Sequence, residues 1–178
     1  MNLQTVRTAF DQISDAKQFF EHFYDKLDDL NIREKVDKDG IDSFINECAI
    51  VAGAVGGATG LGGIVTTVVG IPVEITNNVF QQFRVTLAVI YHKTGQYKPS
   101  FPEFMKIVGM SIGVEVGATV TKAVLVAIAN SLLTRMAAKT ALRAIPILGA
   151  AVGATTNYLF ILGIGKSLKG LNLGNSLN

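Results

Sequence analysis

Five polar side chains stand in apolar stretches of this chain and are the best placed to do chemistry: Glu74, Arg84, Glu115, Lys122 and Asn157. An unpaired charge among apolar groups is costly, so each ionised member needs a partner. Two carboxylates in one cleft can serve as general acid and base. Carboxylates and cations together can also hold a lipid headgroup or a small anion, or lock helices against one another. Glu74 and Arg84 fall ten positions apart, which on one helix means about 15 Å of rise and about 80° of rotation. They cannot pair directly. Glu115 and Lys122 lie seven apart with Thr119 between them, two turns along one helical face. Cross-helix pairs, Glu74 with Lys122 and Arg84 with Glu115, would neutralise all four. The expectation is one buried polar network, open to three readings: a structural lock, a ligand pocket, or an acid–base site.

Other chemistry is poorly served. Asp37-Lys38-Asp39-Gly40-Ile41-Asp42 resembles half of a calcium loop, but its register puts Lys35 and Asn46 where acids are required. A turn leading into a helix start explains it better. His22 and His92 are far apart and Cys48 is the single cysteine, so neither a transition-metal site nor an internal disulfide is expected. The glycine tract GGATGLGG has no Gly-Lys-Ser/Thr and joins no evident strand to a helix, which removes a phosphate-loop reading. No serine has a His/Asp partner at motif spacing. The chain is read as a non-enzyme without cofactor or metal.

The elements that must position these residues are helices. Two long runs carry no Asp, Glu, Lys, Arg or His: Cys48 to Val73, with seven glycines, and Ala144 to Gly165. Each reaches the length of about 20 apolar residues that spans a bilayer as a helix, although glycine and alanine make both less apolar than ordinary spans. Small residues let helix backbones approach closely, so glycines are expected at helix crossings. Leu3 to Leu30 reads as an acidic amphipathic helix, with Phe19 and Phe23 widening its apolar face. It is expected to dock on its own core. A helix begins near Ser43 and breaks around Gly60 to Gly63. Another spans Val73 to Thr94, with Gly95 as its cap. Ser100-Phe101-Pro102-Glu103 is a capping box opening a long helix or kinked pair over Phe101 to Arg143. Ile145-Pro146 ends that stretch, and a last helix covers Ile147 to about Lys169. No alternating strand pattern appears. The predicted fold is an all-α single-domain bundle of closely packed Gly/Ala-rich helices: an N-terminal helix and turn over 1–42, a core over 43–169, and a flexible tail over 170–178.

Composition fits either a membrane-associated protein or a soluble one with a fully buried central hairpin. Of the 178 residues, 49% are hydrophobic and only 17% charged, below the usual quarter. Residues 1–47 hold six Lys/Arg and eleven Asp/Glu, a net of −5; residues 48–178 hold ten and three, a net of +7. An acidic head facing a basic body suggests electrostatic contact between them. The basic residues are too dispersed for a nucleic-acid footprint. Residues 1 to 30 are polar where a secretory signal would be apolar, and a cytoplasmic setting is expected.

The tract GGATGLGG, then Pro72-Val73-Glu74-Ile75, Arg84 ten residues beyond the acid, Tyr91 and Gly95, resembles the EcsC protein family. The run RAIPILGAAVGATTN, Arg143 to Asn157, is similar to that family's closing motif. The resemblance covers roughly residues 45 to 165. It implies a bacterial-type, mostly helical, membrane-associated protein, in some cases encoded beside a transporter with roles in secretion. It also implies importance for Glu74, Arg84, Pro146, Gly149, Gly153 and Asn157 as structural or binding positions.

Three functions remain open. The first is a membrane-associated protein on the inner face of the membrane that binds lipid or a membrane partner. Arg135, Lys139 and Arg143, four apart on one helix face, would meet anionic headgroups together with Lys166 and Lys169, each charge contributing roughly 1 kcal/mol. The second is a soluble carrier of an apolar ligand. The third is a toxin or pore-former that keeps its apolar hairpin buried until a membrane triggers insertion.

Overall fold

A computed structural model describes residues 16–57, 73–137 and 146–175. The protein is all-α. Seven α-helices pack against one another, and no strand occurs among the described residues. They are α1 (Ala16–Lys26), α2 (Ile32–Asp39), α3 (Ile41–Gly57), α4 (Val73–Thr94), α5 (Phe101–Ser111), α6 (Lys122–Ala137) and α7 (Pro146–Gly170). Short 3-10 turns follow α1 at Leu27–Asp29 and α7 at Leu173–Asn175.

Helix α4 is the axis of the fold. Every residue from Ile75 to Ile90 is buried except the half-buried Arg84, the pattern of a helix enclosed on all sides. It ends as the sequence predicts. Gly95 takes φ +71° and its N–H bonds Tyr91 O at 2.8 Å, a left-handed cap that a Cβ would disfavour. Helices α3 and α7 flank it. Lys169 Nζ meets Asp42 Oδ1 at 2.5 Å, and Tyr158 donates its phenol hydrogen to Asn46 Oδ1 at 2.8 Å. Gly53 faces Ala154, so α3 and α7 run antiparallel. Lys93 Nζ donates to Lys169 O at 2.7 Å, so α4 and α7 run parallel, and the cation neutralises the carbonyl end of α7.

Glycines do lie at this crossing. A Cβ on Gly165 would stand 2.7 Å from Ile45 Cγ2, and one on Gly53 would stand 3.0 Å from the Ala154 carbonyl oxygen. Gly165→Leu is therefore expected to lower stability by about 1–3 kcal/mol or more through overpacking. Chemical denaturation of the variant against Gly163→Leu checks this, because Gly163 is exposed with open space at its Cβ. Of the other glycines in the uncharged runs, Gly57 and Gly153 have side-chain surroundings outside the described residues.

The head docks on its own core. Phe19, Phe20, Phe23, Tyr24 and Leu27 are buried. Phe20 stacks on Phe83 at 5.9 Å between centroids, Phe83 meets Phe104 edge-on at 4.9 Å, and Tyr24 lies 4.9 Å from Phe104. Residues 3–15 of the expected helix lie outside the described residues. Gly40, at φ +81°, joins α2 to α3. Around it Asp37 accepts from the Tyr91 hydroxyl at 2.9 Å, so the Asp37–Asp42 segment is a helix–glycine–helix joint.

Two expectations are corrected. The chain does not stay helical from Phe101 to Arg143. The capping box at Ser100 opens α5 as predicted, with Glu103 accepting from the Ser100 N–H at 2.8 Å. At its other end Gly113 adopts φ +72°, Gly113 N–H bonds Met110 O at 3.1 Å, and Val114 N–H bonds Gly109 O at 2.9 Å. That paired closure terminates a helix, and residues 112–121 cross to α6 without helical structure. Nor is the tail loose from residue 170. Leu173 is buried against the core cluster. As for the uncharged runs, residues 146–165 of the second lie in α7, and among the described residues no helix is long and apolar enough to cross a membrane.

Candidate functional site: a buried polar row on the central helix

Helix α4 carries Thr76, Asn77, Asn78, Gln81, Gln82 and Thr86 in its buried interior, interleaved with Ile75, Val79, Phe80 and Phe83. The amides recur at i, i+4 (77 with 81, 78 with 82), which stacks each pair on one face. A buried amide needs partners for its oxygen and both hydrogens.

The first pair belongs to a relay that begins at the surface. Lys35 Nζ bonds Glu47 Oε1 at 2.7 Å, and Glu47 Oε1 accepts from Arg84 Nη2 at 3.2 Å. Arg84 Nη1 then donates to Gln81 Oε1 at 2.8 Å, and Gln81 Nε2 donates to Asn77 Oδ1 at 3.1 Å. Arginine offers only donors, so it fixes the orientation of Gln81, and Gln81 fixes that of Asn77. The guanidinium also lies 5.2 Å from the centroid of the Phe44 ring, a cation–π contact. The Lys35 hydrogen bond holds the Glu47 carboxyl below its usual range; partial burial opposes this, and Arg84 adds to the lowering. Beside the relay, burial pushes the Cys48 thiol up to about 12, so it is not a nucleophile at neutral pH.

The second pair faces α5. Gln82 Nε2 donates to Ser111 Oγ at 3.3 Å, and the Ser111 hydroxyl is itself spent on Val108 O at 2.7 Å. Asn157, on α7, is buried at 2% exposure.

The network expected from sequence does not form. Glu115 is exposed in the non-helical connection and Lys122 is exposed at the first residue of α6. The break at Gly113 removes the two-turn helical relation on which their pairing was argued. Arg84 takes Glu47, an acid of α3, instead of Glu115. Glu74 lies in the first turn of α4 and its side chain is outside the described residues. Of the four whose side chains are described, Arg84 and Asn157 are placed in the interior. Of the basic positions, Arg135 donates to Ile112 O at 2.7 Å and so closes the end of α5. Lys169 pairs with Asp42, Lys166 is exposed, and Lys139 and Arg143 lie outside the described residues. Lys35, Glu47 and the four amides were missed by sequence reasoning. The signal for the amides was their i, i+4 spacing in an otherwise apolar helix; nothing in the sequence pointed to Glu47.

The row contains no nucleophile beside a base. It can bind and orient a polar group by hydrogen bonds. Comparison of the chain with family models, with curated proteins and with solved structures finds no match.

Proposed function

We propose that this protein is a membrane-associated helical protein that docks the uncharged end of its α3–α4–α7 core into one leaflet and binds lipid there. One observation carries the reading. The helix directions bring the uncharged part of α3 from Cys48, the Ile75–Phe83 stretch of α4 and the uncharged first part of α7 to the same end of the molecule, where Glu74 in the first turn of α4 is the acid in the sequence. Ten helical residues rise about 15 Å, half of a hydrocarbon core of about 30 Å. At that end the polar groups of α4 face inward, whereas Ile50 of α3 and Leu159 of α7 are 55% and 57% exposed. They lie at one level of the helix pair, since Tyr158 reaches Asn46 and touches Gly53. The opposite end holds Asp42, Lys93, Lys166 and Lys169, suited to the headgroup and aqueous side. The EcsC resemblance of the glycine tract and closing run supports the same reading and a place on the inner face of the membrane, in service of transport or secretion. The basic stripe has a smaller part in it, because Arg135 is engaged by Ile112 O.

Pelleting with phosphatidylcholine vesicles tests this. The wild-type chain is expected to bind and to stay bound in high salt. Ile50→Asp with Leu159→Asp is expected to weaken binding more than tenfold, since each aliphatic side chain contributes about 1.5–3 kcal/mol on burial. Equal pelleting of both proteins, or release of the wild type by salt, rejects docking through this end.

A further inference from the structure

The exposed side of the α3–α7 pair changes character along its length. Ile50 and Leu159 stand exposed at one level. Seven residues away on each helix are Ser43 and Lys166, also exposed. Seven residues bring a helix back to within about 20° of the starting face and about 10 Å along its axis. The two polar residues therefore share the face of the two apolar ones. They also share a level with each other, because the antiparallel register that sets Gly53 on Ala154 sets Ile45 against Gly165 and Asp42 against Lys169. Asn46, whose amide oxygen holds the Tyr158 hydroxyl, lies between the two levels.

This step from apolar to polar matches a membrane surface in scale. A hydrocarbon core of about 30 Å within a bilayer of about 40–45 Å leaves a headgroup layer of roughly 5–8 Å on each face. With Ile50 and Leu159 at the hydrocarbon edge, Ser43 and Lys166 stand at this layer, and the long lysine stem lets the ammonium reach into it. Lys166 is available for the purpose. Of the three lysines at this end of α4 and α7, Lys93 is spent on the carbonyls of Lys169 and Leu171, and Lys169 on Asp42. Lys166 has no ion pair or hydrogen bond with a described residue. One turn before it Gly163 is exposed, with open space where a Cβ would stand. The helix surface between Leu159 and Lys166 thus leaves room for a headgroup beside the lysine.

We propose that Lys166 and Ser43 form the headgroup-facing rim of the docking surface and select phospholipids of net negative charge. The lysine ammonium pairs with the lipid phosphate, and the Ser43 hydroxyl offers a second donor at the same level. A choline headgroup brings its own ammonium to that phosphate and leaves Lys166 without a net attraction. The inference rests on the membrane docking proposed above and adds the class of lipid that it prefers.

Binding of the full chain is titrated at low salt with phosphatidylcholine vesicles and with vesicles of phosphatidylcholine and phosphatidylglycerol in equal parts. The wild type is expected to bind the mixed vesicles about fivefold more tightly or better, the factor that one basic residue contributes near an anionic surface. Lys166→Gln is expected to lower the ratio of the two affinities by about that factor. Gly163→Glu places an acid one turn from Lys166, where the two can pair, and is expected to lower the ratio as well. Lys26→Gln, the same loss of charge at an exposed position on α1, is expected to keep it. Equal wild-type affinity for the two vesicles overturns the proposal. So does an unchanged ratio in Lys166→Gln, or an equal fall in Lys26→Gln. Binding to the mixed vesicles alone, lost in Lys166→Gln, rejects the apolar docking and leaves the lysine contact standing. Binding to neither overturns both, and a dimer in sedimentation would then assign this face to a second copy of the chain.

Discussion

Arg84→Ala is expected to lower the unfolding free energy by about 3 kcal/mol, as measured by urea denaturation at neutral pH. Among the described side chains the guanidinium is the one charge within the α4 interior, with 11% of its side chain exposed. It serves Glu47, Gln81 and the Phe44 ring together. Its removal leaves Gln81 Oε1 buried without a donor, a loss of about 1–3 kcal/mol, and vacates the space its stem fills. Glu47 suffers less, because Lys35 still holds it and 39% of its side chain reaches solvent. The variant Arg84→Lys separates charge from shape. A lysine keeps the charge but cannot bond Glu47 and Gln81 in one plane, so most of the loss should remain. Recovery of full stability by lysine would show that the fork geometry is irrelevant.

Phe83→Ala is expected to cost more, about 3–5 kcal/mol, the range for a fully buried aromatic side chain. Phe83 is 0% exposed and sits between Phe20 of the head helix and Phe104 of α5. The substitution therefore strikes the contact that joins three helices. It should also loosen α1, which is held mainly by its phenylalanines, so limited proteolysis should cut the head faster than the α3–α7 pair. Uniform protection of the head in this variant would mean that α1 is anchored elsewhere, for instance by Tyr24, whose hydroxyl donates to Pro99 O, or by the Lys98–Asp28 pair.

The helical character of the chain and several of its boundaries follow from local rules. The 3.6-residue recurrence of apolar positions marks α1. Gly95 closes α4 because only a residue without Cβ takes φ +71° cheaply, and Ser100 with Glu103 opens α5 through bonds within one turn. Such signals need no partner from elsewhere in the chain, which is why they are legible in one dimension. Gly113 shows the limit: a glycine inside an apolar helical pattern can be interior or cap, and the choice depends on Val114 and Val116 reaching across the turn, where Val116 lies 2.6 Å from the place of a Cβ on Gly109. The tail is a similar case, since only the packed core shows that Leu173 has a site to fill.

The candidate site was legible only as a set of residue types. The sequence by itself determined that Arg84 and Asn157 stand in apolar helices, and that amides recur at i, i+4 along the most apolar-flanked of them. Which charge meets which was decided by tertiary structure alone. Glu115 suits Arg84 only if both are helical, whereas the observed partner, Glu47, comes from α3, 37 residues earlier. Ion pairing between helices depends on their direction and register, and these are set by the glycine-mediated approach of α3 to α7 and the enclosure of α4. The same packing gathers the uncharged stretches at one end and turns the amides inward, a property of the three-dimensional arrangement that no single segment carries.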